Sequence, residues 1–188
     1  TPYANIQSAA FYTNIADTRT DGIELNGQYQ LDLAAYGRLD LNAGVAKTRT
    51  RITDLRDVGG IRGDQIVGRN TQGLIEHGTP ENKLTLGANW LYENWGLTLT
   101  QRRYGEWKNL NASNPTLDQT FAPQWVTDLD LSYRFDLGVK VSLGAINLFD
   151  SHPDKLKGAQ LYGVPKYSIT SPEGAQGAFY YTSVSYDF

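Results

Sequence analysis

The segment WVTDLDLSYRF, residues 125–135, is the most informative about the fold. Its mainly apolar positions alternate with polar ones along the whole stretch. The first set is Trp125, Thr127, Leu129, Leu131, Tyr133 and Phe135, and the second is Asp128, Asp130, Ser132 and Arg134. Because successive side chains of a β-strand point to opposite faces, this period of two predicts a strand with one apolar and one polar face.

The same alternation recurs in six other segments, so the sequence predicts seven strands. The other six segments are 22–33, 39–45, 83–92, 97–100, 139–145 and 178–188. We expect each strand to have roughly ten residues or a little more, which matches the 9–11 residues with which a tilted strand crosses a bilayer. Strands of soluble proteins usually have about 5–6 residues. We therefore expect an all-β, antiparallel meander of membrane strands.

The connections between these segments alternate between short and long. Short turns are predicted at Ala34–Tyr36, Glu93–Asn94 and Asp136–Gly138, and long segments at Arg51–Pro80, Gly105–Gln124 and Asp150–Gln176. Short periplasmic turns and long extracellular loops are typical of a transmembrane β-barrel. Seven strands do not close such a barrel, so we expect residues 1–188 to be the C-terminal part of one barrel domain, with its last seven strands.

The composition supports this class and excludes others. The net charge is −3, from 17 basic and 20 acidic residues, which argues against a nucleic-acid partner. There is no cysteine for a disulfide or a thiolate site. The absence of methionine predicts that the chain does not begin at its own initiator. The 22 aromatic residues gather near strand ends, which predicts two interfacial belts. One belt comprises Tyr36, Tyr92, Trp95, Phe135 and Phe188, and the other Tyr12, Tyr104, Trp125, Phe149 and Phe179.

Several motifs resemble those of known outer-membrane proteins. The end of the chain resembles the β-signal read by the barrel-assembly machinery, with Val184, Tyr186 and Phe188 at alternate positions. Four stretches together resemble TonB-dependent receptors, over roughly Asn14 to Phe188. They are GIEL (22–25), WVTDLDLSYRF (125–135), GAINLFD (144–150, followed by HPDK) and GAFYYTSVSYDF (177–188).

The resemblance implies a role and a set of partners. It implies energy-driven uptake of a scarce, large nutrient, often a ferric siderophore, across the outer membrane of a Gram-negative bacterium. The implied partners are outer-membrane lipid, the rest of the receptor chain with its plug, TonB acting through that plug, and the barrel-assembly machinery. The resemblance implies that the plug domain and the TonB box lie N-terminal to these strands, so neither is expected among residues 1–188.

Candidate ligand contacts cluster near the predicted top of the fourth strand. Arg102, Arg103, Tyr104, Trp107 and Lys108 suit an anionic, aromatic-bearing ligand through charge-assisted bonds and stacking, with Tyr162 and Tyr167 as weaker candidates. The competing interpretation is an aromatic belt with snorkelling cations, or cations that face lipopolysaccharide.

No catalytic or metal-binding constellation is predicted, and no cofactor. The two histidines, His77 and His152, fall in predicted loops, where solvated side chains are expected. Asp128 and Asp130 are expected to face a wetted lumen. The glycine-rich segment 59–63 lacks the GK[ST] ending of a phosphate loop, so a flexible loop is predicted.

Two alternatives stay open at this point. Another outer-membrane barrel, such as a porin or channel, has the same strands and the same terminal Phe. A soluble β-sandwich that acts as a binding module predicts instead that Leu129, Leu131 and Leu143 form a compact interior.

Overall fold

The computed structural model describes residues 13–157 and 165–186. The strands are β1 (Ala16–Asp32), β2 (Arg38–Leu55), β3 (Asn82–Tyr92), β4 (Trp95–Tyr104), β5 (Trp107–Asn109), β6 (Gln119–Phe121), β7 (Gln124–Arg134), β8 (Val139–Ile146) and β9 (Phe179–Tyr186). The helices are α1 (Gly63–Ile66) and α2 (Arg69–His77), with 3-10 turns at Ala34–Tyr36 and Pro115–Leu117. No helix in the described ranges is long and apolar enough to cross a membrane.

One antiparallel sheet contains the seven predicted strands. Its order is β1-β2-β3-β4-β7-β8-β9, so each strand pairs with its neighbour in the chain apart from the β5–β6 hairpin, which forms a small separate sheet. The predicted seven-stranded meander is therefore confirmed. The pairing is regular, with one register shift in β1 between Asp17 and Thr18.

The sheet has an apolar face and a polar face, as the period of two predicts. On the apolar face, Leu97 pairs with Leu131 across β4 and β7, and Leu131 pairs with Leu143 across β7 and β8. Leu131 is 38% exposed and Leu143 56% exposed. Leu25, at the β1 edge, is 74% exposed. The compact interior that a soluble sandwich predicts is thus contradicted, because this apolar face has no protein layer packed on it in the described residues.

All three predicted short turns are confirmed at one end of the sheet. The first includes Gly37, which has a φ of +86° and whose added Cβ would collide with the Leu91 carbonyl, so only glycine fits there. The second consists of Glu93 and Asn94 alone, between the paired residues Tyr92 and Trp95. The third lies between β7 and β8.

The long connections contain more regular structure than the sequence indicated. β1 has 17 residues and β2 has 18, so both exceed the predicted strand length. Beyond Lys47, β2 pairs with no described strand other than β1, and Glu76 of α2 accepts a hydrogen bond from Ile52 N there. The first long segment therefore begins after Leu55, and it contains α1 and α2. The second contains the β5–β6 hairpin, and we call residues 165–178 of the third the last loop.

Candidate functional site

A network of charged groups occupies the polar face where β4 and β7 meet the last loop. The Arg102 guanidinium donates from Nε to Glu173 Oε1 at 2.9 Å and contacts Asp128 with both terminal nitrogens, Nη2 to Oδ1 at 3.2 Å. Tyr104 donates its hydroxyl to the same Glu173 carboxylate, and Asn147 N donates to Asp128 Oδ1 at 2.9 Å. We call this group the Arg102 network.

The Arg102 network ties the last loop to the sheet. The side chains of Arg102, Asp128 and Glu173 are only 18%, 24% and 25% exposed, so the charges interact with little solvent between them. Two carboxylates compensate the one guanidinium. An anionic ligand therefore has to displace Glu173 before it can bind Arg102.

The structure separates the other members of the predicted cluster. Arg103 lies on the apolar face, with its guanidinium 5.8 Å from the centre of the Trp125 ring. Trp107 is 1% exposed and stacks on Phe121 at 5.0 Å, in the β5–β6 hairpin. Lys108 is exposed on β5. Arg102 and Tyr104 are thus brought together, while Arg103, Trp107 and Lys108 occupy different surroundings.

The remaining predicted residues have surroundings of their own. Tyr167 stacks on His152 at 5.3 Å, with Lys166 Nζ 4.9 Å from its ring centre. Tyr162 lies outside the described residues. Of the assembly signal, Val184 and Tyr186 are 68% and 60% exposed on β9, while Phe188 lies outside the described residues. Ligand contact and assembly by these residues stay predictions.

Two members of the predicted aromatic belts are placed differently. Tyr104 is 9% exposed and lies on the polar face, in the Arg102 network. Phe179 stacks on Tyr181 at 6.4 Å, and Tyr181 donates to Asp130 on the polar face. Both assignments to the lipid-facing belt were wrong. The position of a residue along its strand sets its depth in the membrane, but its odd or even place in the alternation sets the face of the sheet on which it lies.

The loops form an open cleft of about 610 Å³ that the sequence did not reveal. Side-chain amides and hydroxyls line it above an aliphatic surface. Its lining is Asn70, Leu74, Asn109, Leu110, Asn111, Ser113, Asn114, Leu117, Gln119, Leu156, Lys157, Ile169 and Thr170. The run NLNASN, residues 109–114, was the available signal. This run does not distinguish a cleft from a turn, because asparagine is also common in turns.

Helix α2 forms one side of this cleft and packs against β5. Gly73 allows the close approach, since a Cβ there would collide with the Leu110 side chain. At the start of α2, Arg69 donates Nη1 to Asp118 Oδ1 at 2.7 Å and Nη2 to Oδ2, and also donates Nη1 to the Asn111 carbonyl at 2.8 Å. The first and second long connections are therefore joined by a bidentate ion pair.

The pKa of Asp118 is lowered, which keeps its carboxylate charged and stabilises this ion pair. The hydrogen bond from Arg69, with the backbone N–H of Asn111, lowers the pKa of Asp118 to about 2. Gln119 adds a link to the third connection, because its amide donates to the Lys155 carbonyl at 2.8 Å and accepts from Lys157 N at 2.8 Å. The three long connections thus form one layer, which we call the loop layer.

The chemistry available in this layer is hydrogen bonding and apolar contact. Within residues 13–157 and 165–186, no group of three or more His, Asp or Glu side chains is arranged to hold a metal ion. The predicted flexible segment 59–63 begins as a tight turn, with Gly59 and Gly60 at φ of +60° and +80° between the bridged residues Val58 and Ile61. A two-residue turn of this kind needs glycine for its positive φ angles and differs from a phosphate-binding loop.

The chain forms one antiparallel sheet with an exposed apolar face, a polar face and a layer of loops at one end. These features are those of a segment of β-barrel wall with its capping loops. Comparison with known proteins identifies the family. The family described as "TonB dependent receptor-like, beta-barrel" matches residues 1–148, and the chain belongs to it.

The fold is also found among solved structures. The chain is similar to the copper transporter OprC, with a TM-score of 0.56 and 20% sequence identity over 94% of this chain. It spans 24% of the length of that transporter, so the likeness concerns the barrel segment alone. No curated protein matches the sequence significantly.

Proposed function

We propose that this chain forms part of the wall and the extracellular loops of an outer-membrane receptor that takes up a scarce nutrient with energy delivered through TonB. The observation that carries the proposal is the pairing of an exposed apolar face with a loop layer at one end only, in a chain of the TonB-dependent receptor family. The apolar face contacts lipid, the polar face lines the lumen, and the loop layer faces the outside.

In this proposal the loop layer captures the ligand. The cleft beside α2 offers amides such as those of Asn70 and Asn111 above aliphatic side chains, which suits a large ligand rich in amide or hydroxamate groups, such as a ferric siderophore. Arg102 and Tyr104 lie deeper, toward the lumen, where Glu173 covers them. An anionic ligand that displaces Glu173 gains access to the predicted Arg102 and Tyr104 contacts and releases the last loop.

The wider set of partners follows from the same proposal. Outer-membrane lipid surrounds the apolar face, the plug and the remaining strands complete the receptor, and TonB acts on the plug. The barrel-assembly machinery reads the end of the chain at Val184, Tyr186 and Phe188. The protein is a transporter and not an enzyme.

The test combines location with uptake. An antibody against this chain locates the full-length protein in fractionated cells, and radiolabelled ferric siderophores are supplied to the wild-type strain, a receptor-deletion strain and a TonB-deletion strain. We expect an outer-membrane band and an uptake that both deletions abolish. A soluble band overturns the membrane assignment. An outer-membrane band with solute entry independent of TonB supports a passive channel instead.

A further inference from the structure

Two of the amides in the cleft beside α2 are already engaged within the protein. The Asn109 side chain bonds at both ends, because Nδ2 donates to Ser168 Oγ at 2.8 Å and Oδ1 accepts from Thr170 Oγ1 at 3.2 Å. Gln119 is likewise engaged at both ends within the loop layer. These two amides join the long connections and leave little hydrogen-bonding capacity for an external partner.

Asn111 and Asn114, in contrast, have amides of fixed orientation with a free nitrogen. Asn111 Oδ1 accepts from the backbone N–H groups of Ser113 at 3.2 Å and Asn114 at 2.9 Å. Asn114 Oδ1 accepts from Thr116 N at 3.1 Å and from the Thr116 hydroxyl at 2.7 Å. Because a backbone N–H bonds the oxygen of an amide, these contacts turn both Nδ2 groups away from the backbone. Within the described residues neither Nδ2 group has an acceptor, so both are available as donors to the cleft that the two residues line.

Asn111 is held in place before any ligand binds. Its backbone N–H donates to Asp118 Oδ1 at 2.9 Å, and its carbonyl accepts from Arg69 Nη1 at 2.8 Å. The ion pair between Arg69 and Asp118 therefore clamps this residue from both sides. A donor that is fixed in advance binds an acceptor with a smaller loss of conformational entropy.

The lining of the cleft carries little charge. Among the residues that the structure describes, it contains one cation, Lys157, and neither a carboxylate nor an aromatic ring. Lys157 Nζ donates to the Asp118 carbonyl at 3.2 Å, and the Asp118 carboxylate opposes part of its charge. Leu74 and Ile169, which are 51% and 90% exposed, add apolar surface. A multiply charged ligand would lose hydration here without enough cations to compensate, and an aromatic ligand would find no ring on which to stack.

We infer that this cleft selects an uncharged ligand whose carbonyl oxygens project from an aliphatic body, and that the Nδ2 groups of Asn111 and Asn114 determine the selectivity. Among ferric siderophores this chemistry corresponds to a trishydroxamate complex, in which three singly charged hydroxamates neutralise Fe³⁺. A triscatecholate complex carries three negative charges and aromatic rings, which the lining does not match. The inference deepens the proposed function and rests on it, and it does not involve Arg102, which lies outside the described lining.

The experiment uses the full-length receptor purified in detergent and titrated calorimetrically with an uncharged ferric trishydroxamate and with a trianionic ferric triscatecholate. We expect the wild type to bind the uncharged complex at least tenfold more tightly. Asn111→Asp and Asn114→Asp keep the oxygen that accepts from the backbone, and each replaces the free donor with a second acceptor. Each variant should bind the uncharged complex about three- to tenfold more weakly, the effect of one lost hydrogen bond.

Gln65→Glu is the matched control. It makes the same change from amide to carboxylate on α1, outside the lining of the cleft. We expect it to alter binding of the uncharged complex by less than about twofold, because it removes no donor from the cleft.

Each outcome supports or overturns the inference. Equal or tighter binding of the triscatecholate by the wild type overturns it, even if both variants fail to fold. Binding of neither complex overturns it as well, as does unchanged binding of the trishydroxamate in both variants. A similar loss in Gln65→Glu would show that binding depends on charge alone, and the inference would be wrong. Cell fractionation and the deletion strains test the outer-membrane location and the TonB dependence separately, so those roles can stand when this inference fails.

Discussion

The exposed apolar face predicts how the protein responds to a charge at the centre of β4. Leu99 lies four residues from Trp95 and four from Arg103, and it is 40% exposed. Four residues span about 13 Å along a strand, and a tilt of about 40° reduces this to about 10 Å of depth. The apolar band of a barrel is about 25 Å tall, so Leu99 lies close to the bilayer midplane.

We expect Leu99→Arg to destabilise the full-length protein by about 2–4 kcal/mol, the cost of a lipid-facing arginine at that depth. At 1.4 kcal/mol for each tenfold change, this lowers the folding equilibrium constant by about 30- to 700-fold. The matched control is Thr100→Arg. Thr100 is the next residue of the same strand, and it lies on the polar face opposite Asp128 in the pairing with β7. There we expect a change within about 0.5 kcal/mol.

The assay is denaturant unfolding of the protein inserted in phospholipid vesicles, followed by the fluorescence of its tryptophans, including Trp90, Trp95 and Trp125 on the sheet. The difference between the two arginine variants measures the asymmetry of the two faces. Equal destabilisation by both variants, or a cost below about 0.5 kcal/mol for Leu99→Arg, would refute the assignment of the apolar face to lipid.

Three further predictions concern the loop layer and the packing of the last strands. Glu173→Gln removes one charge of the Arg102 network while keeping the shape of the side chain. Amide hydrogen exchange should therefore become faster across the last loop and stay unchanged in β4. Unaltered exchange in the last loop would contradict the anchoring role of Glu173. The pKa of Asp118 lies below its ordinary value of 3.8, at about 2. Its ion pair therefore stabilises the loop layer above about pH 4, and this stabilisation is lost as the pH falls through about 2. Hydrogen exchange in the loops should show this acid dependence in the wild type and not in Asp118→Asn. Gly144→Ala places a methyl group against the Tyr181 ring and should lower the free energy of unfolding by about 1–3 kcal/mol in denaturant unfolding. The control Gly27→Ala should be nearly neutral, because the added Cβ meets open space. Similar costs for the two variants would show that the Tyr181 ring moves aside freely.

The position of a side chain along its strand and the face of the sheet on which it lies are set by different features of this protein. The sequence pattern correctly placed Tyr104 near the loop end of β4, but only the sheet parity, with the partner Glu173 about seventy residues along the chain, places it on the polar face. Trp107 likewise looked like one more aromatic beside a basic stretch. In the structure it is the centre of the β5–β6 hairpin, because Phe121 folds back over it.

Local sequence patterns are sufficient to predict the sheet. Strand number, strand order, turn positions and the apolar face all follow from a period of two interrupted by short turns, since alternation and turn chemistry are local properties of the chain. The contacts within the loop layer, in contrast, could not be predicted in this way. The Arg69–Asp118 ion pair, the Arg102 network and the amide-lined cleft join residues from different connections. No local pattern encodes those contacts, because they depend on how the strand ends converge in space once the sheet has formed.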